Sequence, residues 1–154
     1  MIASVIVSLV LLSGLLVFVG FRFGVITSLS SLCYILPHRW IFPLVLGVST
    51  VMITAPMFEV TPDDYRFLVF LTIAGTLFVA ASPLYHEGLD KPVHYTSAVI
   101  LSAATVVWII LLGYIPYIGI VGAVVGLANR QNIVYWFEVG ILCNLYYVLI
   151  SQLV

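Results

Sequence analysis

The chain has 154 residues, 64% of them hydrophobic and only 7% charged, with a net charge of -1. Soluble domains carry about 25% charged residues, so a water-soluble fold is excluded, and a mean hydropathy of +1.27 makes lipid the solvent of the chain. The charge balance leaves no basic patch for nucleic acid, and the length fits a single domain.

In chain order, Ile2–Phe21 comes first. It lacks a basic leader and a small-residue cleavage site before Arg22, so it reads as a first span rather than a cleaved signal. Phe21–Leu36 is different in kind, because Ser28, Ser30 and Ser31 make it too polar for a lipid-facing span. Ser28 is placed to cap a short helix from Leu29 to Leu36, lying in the interface or against the bundle. Pro37 and the His38-Arg39 pair precede the second span, Trp40–Phe58. Thr61-Pro62-Asp63-Asp64 is a turn into a helix start, with the acids at the positive end of the dipole. It opens the third span, Phe67–Tyr85, which Pro83 brings to an end. Pro92 sits in the first turn of the fourth, Val93–Tyr114. Gly113 and Pro116 then lead to Pro116–Ala128, whose 13 residues reach roughly 20 Å at 1.5 Å per residue. Ile133–Val154 is the last apolar run.

Charge decides whether the short stretch crosses. If it does, the odd-numbered loops hold Arg22, Arg39, Lys91 and Arg130, while the even-numbered loops hold only Arg66, beside Glu59, Asp63 and Asp64. Four basic residues against one is a positive-inside pattern. With five spans Arg130 moves across and the pattern is lost. The expected fold is therefore an all-α, polytopic transmembrane helix bundle of about six spans. It has a short fifth span and an interfacial segment after the first. The expected place is a cell membrane, a bacterial inner membrane by preference, with both termini outside.

Glu138 stands alone as an acid within Ile133–Val154. A charge at the centre of a membrane helix costs roughly 2.5–3.5 kcal/mol on insertion scales, so it is the first place to look for function. His94 shares a helical face with Ala98, Leu101, Thr105 and Trp108, a face expected to look into the bundle. With six spans His94 and Glu138 enter from one side and can share a pocket, and Tyr135, one turn before Glu138, is a candidate hydroxyl donor. Asn144 lies about 240° round the helix from Glu138 and faces elsewhere. This cluster reads as a structural clasp or as a proton-exchanging site. Gly119, Gly122 and Gly126 share a face suited to close helix packing, within the chain or between copies.

His86, Glu87, His94 and Glu138 are weak metal candidates, since no ligand spacing joins them. Ser82, before Pro83, has no evident partner, and no nucleophile, phosphate-loop or haem motif occurs, so no cofactor is implied. Cys33 and Cys143 have no metal-type spacing.

The run Val93-His94-Tyr95-Thr96-Ser97-Ala98, a histidine opening the fourth span of a compact bundle, resembles the DRAM/Frag/Sfk-type six-helix membrane proteins and related bacterial membrane families. The likeness covers most of the chain in architecture and these few residues in motif, and the longer polar loops of the eukaryotic members are missing. It implies a membrane-embedded protein tied to lipid or membrane homeostasis, with no catalytic residues to carry over. Three functions compete. The first is a non-enzymatic bundle that binds membrane lipid or a protein partner, a second copy included. The second is a small transporter or proton or ion pathway through Glu138 and His94. The third is a membrane-embedded, metal-dependent hydrolase or transferase, which needs at least three ligands together.

Overall fold

The computed structural model describes residues 1–82, 90–128, 130 and 132–154, with Asp90 given by its backbone alone. Among the described residues the chain is all-helical: α1 (Ile2–Phe23), α2 (Leu32–Ile35), α3 (Ile41–Val60), α4 (Arg66–Ala81), α5 (Asp90–Leu111), α6 (Tyr117–Ala128) and α7 (Ile133–Leu153). Five segments, α1, α3, α4 together with the turn from Asp63 that enters it, α5 and α7, are long and apolar enough to cross a membrane. The fold is a multi-pass membrane bundle.

The breaks follow local chemistry. Gly24, at φ 75°, ends α1 and returns its N–H to Gly20, a backbone conformation that favours glycine. Gly113, at φ 83°, does the same after α5, and Pro116 then supplies the carbonyl for the first bond of α6, from the Ile120 N–H. A 3-10 turn at Asp63–Tyr65 enters α4, with Arg66 paired to Asp63 at 2.8 Å. Helix α5 begins at Asp90, earlier than the apolar pattern suggested, which still leaves Pro92 in the first turn. Pro83 lies outside the described residues. Within the spans, hydroxyls bond back along their own helices: Thr50 to Leu46, Thr54 to Thr50 and Thr105 to Leu101. These bonds satisfy the three hydroxyls within their own helices, whereas the buried Ser49 Oγ of α3 has no partner among the described residues.

Polar links between helices fix the axial order. Ser8 of α1 reaches the Ser49 carbonyl of α3 at 2.9 Å and the Tyr146 hydroxyl of α7. Thr105 of α5 meets Thr72 of α4 at 3.4 Å, and Trp108 Nε1 donates to Thr61 Oγ1 at 2.8 Å. The segment after α1 touches the beginning of α7, where the Leu29 N–H meets Glu138. Hence α1 and α7 run antiparallel, and the chain starts at the end of the bundle where α7 finishes. Arg22, Arg39, Lys91 and Arg130 all lie at the opposite end, here the basic end. Glu59, Asp63, Asp64 and Arg66 lie at the acidic end with both termini.

The short α6 packs chiefly on α7, antiparallel, glycine face inward. Gly119 abuts Ile141, Gly122 the backbone of Trp136, and Gly126 that of Ile133, while Gly140 of α7 abuts Ile118. Helix α6 thus covers only the basic-end half of α7. At about 18 Å long, it begins inside the bundle rather than at its edge. Its early N–H groups have no partner within the helix. Asn144, fully buried on α7, supplies one: its Oδ1 accepts from the Gly119 N–H at 3.0 Å. Asn144 does face away from Glu138, and what it faces is the start of α6.

Candidate functional site

The site begins with the serine-rich segment. Ser28 Oγ accepts from the Ser31 N–H at 3.3 Å and bonds Ser30 Oγ at 3.0 Å. Ser31 Oγ donates to the Ser28 carbonyl at 2.6 Å. This capping holds a 3-10 turn, Leu29–Ser31, that runs into α2, where a single short helix was expected. The capped turn aims the Leu29 N–H, one of its free N-terminal donors, at α7. Glu138 Oε2 accepts that N–H at 2.7 Å. Glu138 is therefore a clasp between α7 and the segment following α1. Its donor is a backbone amide, not the hydroxyl of Tyr135. Tyr135 packs against the apolar core with its ring edge-on to Trp136, centroids 5.4 Å apart.

His94 is held separately. Its Nδ1 lies 3.0 Å from Ser82 Oγ, and that hydroxyl donates to the Val79 carbonyl at 2.8 Å. A hydroxyl has one proton, so Ser82 accepts from the His94 Nδ1–H, and Nε2 is left as an acceptor. Ser82, without an evident partner in the sequence, thus orients the ring.

His94 and Glu138 do not bond each other, but both line one cavity of about 990 Å³. It lies between α5 and α7 at the basic end. Its basic end is built from Thr27, Ser28, Ser30, Ser31, Tyr34, Ser82, Lys91, His94, Tyr95 and Glu138, with Val134 and Phe137 of α7 beside them, and its wall continues along α5 through Val99, Ser102, Ala103, Val106 and Val107. A second, smaller cavity of about 100 Å³ lies at the centre of the bundle, among Leu12, Leu46, Ile53, Thr72, Leu101 and Leu145. Ser30, Ala98, Ser102 and Glu138 line both, so Glu138 stands in the wall between them.

Gly119, Gly122 and Gly126 lie on α6, against α7 and away from this cavity. Among the described residues, no three His, Cys, Asp or Glu side chains gather as a metal ion would need. His86 and Glu87 lie outside the described residues. Both cysteines are free thiols. Cys33, in α2 beside the serine turn, is buried, and that burial pushes its thiol up to about 11. The thiolate is the reacting form, and it stays scarce until the pH nears that value. Alkylation of Cys33 by iodoacetamide at pH 8 should therefore run on the order of a hundredfold slower in the folded protein than in the unfolded chain, the gap closing as pH rises. Equal rates in the two states would show that α2 does not shield the thiol.

Two members of this site escaped the sequence reading. The Leu29 N–H is a backbone group and carries no residue signature. The Ser82–His94 pair was legible in principle, since a serine ending one span and a histidine opening the next meet when the two spans form a hairpin. No protein-family model, no curated protein and no solved structure matches the chain.

Proposed function

We propose that this chain is a non-enzymatic membrane protein that holds a membrane lipid in the groove between α5 and α7. The observation carrying this reading is the groove's own polarity. Serines, Lys91, His94 and Glu138 cluster at the basic end, and apolar wall continues along α5 toward Val107. That is the order of groups along a lipid set in one leaflet. The basic end faces the cytoplasm, by the same distribution of Arg and Lys that favours six spans. The likeness to DRAM/Frag/Sfk-type bundles points toward lipid as well. The ion-pathway reading draws on Glu138 standing between two cavities. The inner cavity is walled mostly by leucine, isoleucine and threonine, and apolar cavities stay dry, which favours the lipid reading.

Filling the groove tests it. Ala103→Trp places a bulky ring over the apolar wall, and Val124→Trp places one on the outward face of α6, where Val124 is exposed. Native mass spectrometry of the proteins purified from membranes in mild detergent should find lipid bound to the wild type and to Val124→Trp, and on the order of tenfold less on Ala103→Trp. Equal lipid on all three would overturn the proposal.

A further inference from the structure

Resting on that reading, we infer that the groove selects a single-chain lipid with an anionic phosphate and a free hydroxyl on its glycerol backbone: a lysophospholipid. Tyr34, Lys91, His94, Tyr95 and Glu138 line the groove, and Lys91, His94 and Glu138, the basic and acidic ones among them, differ in depth. Lys91 is the second residue of α5, at the mouth. His94 is the fifth residue of α5 and Glu138 the sixth of α7, so both sit roughly 6–8 Å inside their helix starts. Val107 lies about 24 Å beyond Lys91 along α5, the reach of one long acyl chain. Lys91 is a point charge suited to a phosphate at the mouth.

The deeper pair supplies the selectivity. Ser82 takes the His94 Nδ1–H, so Nε2 presents a lone pair. Glu138 spends Oε2 on Leu29, and no hydrogen bond among the described residues engages Oε1. His94 Nε2 and, when Glu138 is ionised, its Oε1 therefore stand as two acceptors at the depth of the lipid's glycerol. The ester oxygens of a two-chain lipid are acceptors too and leave that pair unanswered. A free glycerol hydroxyl donates to it.

The test compares three probes on the purified full chain by native mass spectrometry: oleoyl lysophosphatidic acid, its analogue lacking the glycerol hydroxyl, and dioleoyl phosphatidic acid. The wild type should bind the first on the order of tenfold more tightly than either of the others. Glu138→Ala should erase the difference between the first two, and Lys91→Ala should weaken all three alike. Equal binding of the three, with Ala103→Trp still blocking them, overturns the lysophospholipid class and leaves the lipid groove standing. Binding that Ala103→Trp does not block overturns both. The wild-type comparison decides the class even if Glu138→Ala fails to fold.

Discussion

Gly122→Ala should loosen the α6–α7 hairpin, while Gly47→Ala should leave the protein as stable as before or slightly more so. A methyl group at Gly122 meets the carbonyl of Trp136, which is backbone and has no rotamer to yield. Helix α6 must then move off α7, and overpacking of this kind costs about 1–3 kcal/mol or more. Alanine is also the better helix former by about 1 kcal/mol, which is too little to reverse the sign at Gly122. At Gly47 of α3 the added methyl meets nothing within 4 Å, and the propensity gain stands alone. Thermal denaturation in detergent, read as the monomer remaining after heating, separates the two. Equal stability of Gly122→Ala and wild type would mean that α6 does not rest on α7 this closely. Gly126 and Gly140, each facing backbone at 2.6 Å, are expected to behave like Gly122.

The second large effect is expected at Asn144. Asn144→Leu keeps the volume but removes the acceptor of the Gly119 N–H. Hydrogen bonds between membrane helices average about 0.6 kcal/mol, because the alternative states also find partners. An amide at the start of a helix that begins inside the bundle has no second acceptor in its own helix. Its loss should fall at the upper end, about 1–3 kcal/mol. Asn144 Nδ2 has no partner among the described residues, so its removal offsets part of this. Faster hydrogen exchange at the Gly119 amide, with a lowered melting temperature, is the expected pair of results. Unchanged exchange would show that Asn144 is a bystander.

The bundle was legible because lipid imposes long apolar runs and because glycine and proline mark the breaks, as Gly113 and Pro116 do between α5 and α6. The count of basic residues also carried depth information. It set His94 and Glu138 at one end, and both line the groove found there. The expected direct partnership with Tyr135 was not found, because sequence shows side chains and the free donor here is the Leu29 amide. Asn144 illustrates the same limit. Its direction followed from the helical angle, but its role depended on how deep α6 begins, which no residue in α6 announces.

The polar links also imply an order of assembly. Ser8 finds the Ser49 carbonyl as soon as α3 has been made, Thr72 meets Thr105 within the α4–α5 hairpin, and Asn144 meets Gly119 within the α6–α7 hairpin. Each partner is the neighbour next in sequence, so insertion by helix pairs would leave few of these polar groups waiting in lipid. Thr61 already bonds within its own segment before Trp108 arrives. Glu138 and Tyr146, by contrast, depend on partners made more than a hundred positions earlier, Leu29 and Ser8. On that order the α6–α7 hairpin would meet a half-built bundle whose receptors are already in place, and Glu138 would be among the last polar groups to be satisfied.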